Sequence, residues 1–165
     1  MASLKGRSIA LVSVLAFVVV SAGCWADEVP SMSRIGASRS PSGDLMVEFA
    51  GCPGETVESV TLRRTDESFS EMGEVLWEVE ATNSAATTLS VVVGLVPDGF
   101  SEKVPLINDL SADLPVEVII SSSRVGTLSN TFKLEDLRTG EVLVPSDRYS
   151  SLRDFRSIAA DGCSG

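Results

Sequence analysis

From Asp44 to Val144 the apolar residues recur at every second position, in short runs separated by turn residues. This period of two narrows the accessible folds more than any other feature, because successive side chains of a strand point to opposite faces. In Leu45-Met46-Val47-Glu48-Phe49, the residues Leu45, Val47 and Phe49 share one face. Val60 and Leu62 do so in the next run, and Val75, Trp77 and Val79 in the run from Glu74 to Glu80. Thr88 to Val96 (TLSVVVGLV) is apolar on both faces for part of its length and predicts a central strand. Val116 to Ser121, Thr131 to Leu134 and Glu141 to Val144 complete the set. Dense punctuation separates them, including Gly51-Cys52-Pro53-Gly54, Pro97-Asp98-Gly99, Asn108-Asp109 and Arg138-Thr139-Gly140.

Six or seven short strands at this spacing predict a mainly β protein, an antiparallel β-sandwich of immunoglobulin or fibronectin type III-like topology. The immunoglobulin cysteine pair is not met: Cys52 falls after its strand and Cys163 lies in the tail. Trp77 is still expected as a core anchor. Near the C-terminus the period changes. Ser151-Leu152-Arg153-Asp154 matches a capping box, and Leu152, Phe155, Ile158 and Ala159 recur at helical spacing. A helix of about 151–161 is expected, with Gly162 as its C-terminal cap.

The domain order follows from composition. Lys5 and Arg7 precede an apolar run from Ile9 to Val20, and small residues follow at Ser21-Ala22-Gly23. Even extended to Trp25 that run has 17 residues, short of the ~20 needed to cross a bilayer, so residues 1–23 read as a signal peptide. Residues 24–42 are rich in Ser, Pro, Gly and Ala and read as a flexible tether, contributing at most an edge strand near Ile35. Residues 43–165 form the expected sandwich domain. Losing Lys5 and Arg7 with the leader takes the net charge from -10 to -12.

The composition restricts chemistry sharply. The chain has no histidine, which removes Ser-His-Asp and Cys-His nucleophiles and most zinc sites. Its acidic balance argues against nucleic acid, whose phosphates require clustered Lys and Arg. Glu48, Glu78 and Glu80 occupy outward strand positions and read as a solvated face. Neither Lys103 nor Lys133 carries the S-x-x-K pattern of a Ser-Lys dyad. No catalytic residue, metal site or cofactor is expected, and Gly94, Gly99 and Gly126 form no phosphate loop. Calcium would be the most reasonable metal, yet the acidic loops Asp98 and Asp109 to Asp113 lack the D-x-[DN]-x-[DN]-G pattern. Asp98, Phe100, Asp109 and Asp113 form the candidate binding loops that a sandwich could gather at one end. An exposed Phe100 could anchor a partner there; the alternative is that it folds back over the core.

The segment Ser21-Ala22-Gly23-Cys24 resembles the lipobox of bacterial lipoprotein signal peptides, with Ser21 standing where that family carries Leu, Val or Ile. The resemblance implies that Cys24 receives a diacylglyceryl thioether and becomes an acylated N-terminus. Cys24 and Ala26 also form an A-x-A-like site for ordinary cleavage after Ala26. If Cys24 carries lipid, Cys52 and Cys163, 111 residues apart, become an even pair that an oxidising compartment would join. A weaker similarity runs through Gly51-Cys52-Pro53-Gly54-Glu55, Val60 to Arg64, Gly73 to Trp77, Pro97 to Phe100, Phe155 and Cys163, and is to small uncharacterised actinobacterial lipoproteins. It implies a compartment and a fold.

These readings give a lipid-anchored, extracytoplasmic sandwich at the cell membrane, binding or positioning another envelope component, with no enzymatic activity expected. A basic partner or a bridging divalent ion would suit its charge. The alternative is a freely secreted protein with a minor hydrolytic or inhibitory role.

Overall fold

Alternation is realised strand by strand in the computed structural model, which describes residues 34–66, 72–83, 87–107, 110–145 and 148–163. Among these residues ten strands form: β1 (Ile35–Arg39), β2 (Leu45–Ala50), β3 (Val57–Thr65), β4 (Met72–Ala81), β5 (Thr88–Val92), β6 (Phe100–Val104), β7 (Pro115–Ser122), β8 (Gly126–Lys133), β9 (Glu141–Val144) and β10 (Arg148–Ser151). A helix, α1 (Leu152–Asp161), follows. The strands make two five-stranded antiparallel sheets, ordered β10-β9-β1-β2-β5 and β6-β4-β3-β7-β8. Within them, β1-β2-β5 on one side and β4-β3-β7-β8 on the other keep the strand order expected of an immunoglobulin-like sandwich. The remaining β6 extends one sheet beyond β4, and the β9-β10 hairpin extends the other beyond β1.

The main core lies between the sheets. Trp77, Phe49, Ile35, Leu62 and Ile120 are among its largest fully buried side chains, so Trp77 anchors the core as expected. On β7 the inward set is Val116, Val118 and Ile120, alternating with half-buried Glu117 and Ile119. A smaller second core lies outside the first sheet, where Phe155 and Ala159 of α1 pack on Ala50, Val142 and Val144. Gly36 makes that contact possible. A Cβ there would sit 2.2 Å from Val142 Cγ1 and 3.1 Å from the Leu143 carbonyl oxygen.

Three expectations change. β1 is the central strand of its sheet rather than an edge, so Arg34 to Ser42, expected as part of a tether, belong to the sandwich. Its composition imitates a linker because Ala37 is packed in the main core while Gly36 lies under α1. The run Thr88 to Val96 does not form a central strand. β5 is an edge and stops at Val92, after which Gly94 turns the chain at φ 87°. Glu48 faces outward as expected but is 2% exposed, because α1 covers that face.

The helix begins where the capping box places it. The Ser151 hydroxyl accepts a hydrogen bond from the Asp154 amide at 3.1 Å, satisfying one of the N–H groups that a helix start leaves free. Gly162 is the C-terminal cap, in a right-handed conformation, and its amide donates to the Ile158 carbonyl at 3.2 Å.

Candidate functional site

The strand directions give the sandwich two distinct ends. The end where β2 finishes and β3 begins also carries the β7-β8 turn, the finish of β4 and the start of β6. Arg34, the first described residue, sits there, immediately before β1. The other end carries the β1-β2 turn, the finish of β3, the start of β4 and the stretches 105–107 and 110–114.

At the first end Arg34 is buried, and a buried guanidinium is tolerated only where its donors are met. Its Nε donates to the Ala50 carbonyl at 3.2 Å, its Nη1 contacts Cys52 Sγ at 3.4 Å, and its Nη2 pairs with Glu55 Oε2. The guanidinium also lies 5.3 Å from the Phe49 ring centroid. Glu55 Oε2 accepts from the Cys52 amide at 2.7 Å as well, and Oε1 accepts from the Ser122 hydroxyl at 2.5 Å. Burial pushes the Glu55 carboxyl up, but the hydrogen bonds from Arg34, Ser122 and the Cys52 amide outweigh it and hold the group below its ordinary value. With both oxygens engaged, this carboxylate serves as a structural acceptor. Cys52 is joined to Cys163 by a disulfide, with Cα atoms 5.3 Å apart. One cluster therefore ties the entry of the chain, the β2-β3 turn, the end of β7 and the C-terminal tail.

Next to this cluster, on the outer face of the first sheet, Glu48 Oε1 accepts from the Ser90 hydroxyl at 2.8 Å. Its Oε2 has no hydrogen-bond partner, and Arg156 Nη2 of α1 approaches only to 3.9 Å. Burial raises the Glu48 carboxyl, opposed by Ser90 and Arg156. Glu80, expected on a solvated face, is exposed and pairs with Lys103 at 2.7 Å.

The candidate binding loops do not converge. Asp98 precedes β6 and Asp113 follows it, so they lie at opposite ends of the sandwich, separated by roughly 17 Å of strand. Asp113 accepts from the Ser111 hydroxyl, which lowers its pKa. Phe100 is buried in the main core, so it closes that core and is not displayed to a partner. Asp109 and Cys24 lie outside the described residues. Among the described residues no three His, Cys, Asp or Glu side chains are grouped to hold a metal ion.

The second end holds the feature that sequence reasoning missed. A cavity of about 160 Å³ opens between β4, the end of β6 and the segment that follows it. Leu76, Leu106, Leu110 and Leu114 line it and pack against the main core, while Arg64 and Glu74 also contribute to its walls. Ile107, also on its wall, is 82% exposed and Leu95 is 63% exposed, the two most exposed large apolar side chains among the described residues. Their turns meet: a Cβ at Gly94 would lie 3.1 Å from Leu106 Cδ2. The available signal is two apolar pairs, Leu95-Val96 and Leu106-Ile107, each beside a Gly or Pro. The first disappears inside a run that reads as strand.

No protein-family model matches the chain, and neither a curated protein nor a solved structure matches it.

Proposed function

We propose that the protein is a lipid-anchored, extracytoplasmic β-sandwich that holds or positions another component of the cell envelope, without catalysis of its own. The observation that carries this reading is the Cys52–Cys163 disulfide. Disulfides persist in oxidising compartments, and this one accounts for two of the three cysteines, leaving Cys24 alone in its lipobox-like setting. The leader-like run before Cys24 supports export. Two or more acyl chains on one residue would hold the protein stably, since each buried methylene contributes ~0.8 kcal/mol and one chain binds only marginally.

The cluster around Arg34 suits an attachment point. Chain leaving toward Cys24 departs from Arg34, whose side chain is bonded to the β2-β3 turn beside the disulfide. Intact-mass measurement of the mature protein tests the reading. An N-terminus at Cys24 carrying a diacylglyceryl mass is expected; one at Asp27 without acyl mass overturns it.

A further inference from the structure

We propose that α1 is a latch with a redox lock: reduction of the Cys52–Cys163 disulfide frees the helix from the outer face of the first sheet, and the ionised Glu48 beneath it then favours release. The packing makes such a release local. Phe155 and Ala159 of α1 close a second core with Ala50, Val142 and Val144, separate from the core between the sheets. A helix of ten residues has little stability of its own in water, so α1 persists through this contact and through the disulfide just beyond its end. Against these stands Glu48, buried under the helix, with Oε2 lacking a hydrogen bond and Arg156 no nearer than 3.9 Å. A buried carboxylate so incompletely met opposes docking while it is charged. Ser90 of β5 and Gly36 of β1 are its register neighbours, and Met46 and Ala50 flank it along β2. None of these is charged, and Arg156 is the charged group that α1 sets against it. Burial outweighs Ser90 and Arg156 and raises the carboxyl, so docking is favoured in acid and weakens as pH rises through the docked value.

The two sulfurs differ in a way that sets how the lock opens. Cys52 is buried with Arg34 Nη1 3.4 Å from its Sγ, whereas Cys163 is half-buried, its Sγ 3.4 Å from the Ala159 carbonyl oxygen near the negative end of the helix. Negative charge is therefore better held on Cys52, and Cys163 is the sulfur within reach. Glu55 pairs with Arg34 through Nη2, which leaves Nη1 to Cys52. The reductant is a protein dithiol of the thioredoxin-like class. One of its thiolates attacks Cys163 Sγ, the disulfide breaks, and Cys52 leaves with the bonding pair as a thiolate beside Arg34. The second thiol of the reductant, once deprotonated, attacks the reductant's own sulfur in the mixed disulfide and releases Cys163 as a thiolate. Two electrons pass to this chain, the reductant is oxidised to its disulfide, and the protons of its two thiols end on Cys52 and Cys163. The exchange uses neither Cys24 nor the anchoring proposed above.

The test is amide hydrogen exchange on the full chain, oxidised or reduced with dithiothreitol and then held without oxygen at about pH 5 or about pH 7.5, with protection corrected for the intrinsic pH dependence of exchange. In the oxidised chain α1 is expected to be protected at both values. In the reduced chain protection across Arg156 to Ala160 is expected to fall at least about tenfold at the higher pH and clearly less at the lower, while β3, β4 and β7 keep theirs. Glu48→Gln, which replaces the carboxylate by a neutral group of the same shape, is expected to remove the difference between the two pH values in the reduced chain. Unchanged protection of α1 on reduction overturns the proposal, as does an equal loss in β3, β4 and β7, which would make the disulfide a staple of the whole fold. Equal release of the unsubstituted chain at both pH values, or a pH difference that survives Glu48→Gln, overturns the part given to Glu48. The order of attack is read with a thioredoxin-like protein whose second active-site cysteine is replaced by serine. A mixed disulfide mapped to Cys163 is expected, and one mapped to Cys52 overturns that order.

Discussion

Arg34 and Glu55 show how a single buried charge pair is made tolerable. Arg34 makes three polar contacts and Glu55 accepts three, so neither charge is left uncompensated. Glu55→Ala strands the guanidinium and is expected to cost about 3–5 kcal/mol, measurable by urea unfolding. Glu48 behaves in the opposite sense. Its raised carboxyl binds the proton more tightly when folded, so its stabilisation is present below the ordinary value of 4.5 and is lost as pH rises through the folded value. Glu55, with a lowered carboxyl, contributes stability above 4.5 that is lost as pH falls through its folded value. In thermal melts, Glu48→Gln should therefore raise the melting temperature at about pH 7 and lose that advantage in acid. Glu55→Gln should lower it at about pH 7, with the deficit shrinking in acid. The period of two identifies Glu48 as outward-facing, but its burial depends on a helix more than 100 residues later in the chain. Nothing local distinguishes it from Glu80, which is exposed.

Among the elements, those with strong periodicity were legible and those shaped by tertiary packing were not. β2, β3, β4 and β7 carry apolar alternation and form where it predicts. The helix follows from the Ser151 cap and the Phe155 and Ala159 spacing, although Ile158, read as part of the same face, is partly exposed beside a small surface cavity. β1 reads in the sequence as tether with at most an edge strand near Ile35, because close packing on both faces demands Gly36 and Ala37, residues that also mark linkers. β6 and β10 are short and largely polar edge strands with little inward apolar pattern. Gly36→Ala should force Val142 and α1 outward at a cost of about 1–3 kcal/mol, seen as faster amide exchange across Leu152 to Ala159. Cys163→Ser opens a loop of 111 residues and should cost about 4–5 kcal/mol on the chain-entropy account, again with faster exchange in α1. A ten-residue helix deprived of its staple has little stability of its own.

At the scale of the whole molecule, the decisive property is that the two ends differ. One end gathers the chain entry, the disulfide and a saturated charge pair; the other exposes Leu95 and Ile107 beside a cavity walled by leucines together with Arg64 and Glu74. The sandwich class was legible from alternation and turns, but the sharing of an end by distant loops was not, because that depends on strand order. Asp98 and Asp113 are 15 positions apart, yet β6 carries them to opposite ends. The proposed anchoring gives this asymmetry a direction. β4, with ten residues, spans roughly 30 Å, which sets the scale of the separation between the ends. The most direct measurement is energy transfer from a fluorophore placed at Val125, on the β7-β8 turn, or at Ile107 to acceptor lipids, using the acylated full chain on phosphatidylcholine vesicles. The account predicts strong transfer from position 125 and much weaker transfer from position 107; equal or reversed transfer would contradict it.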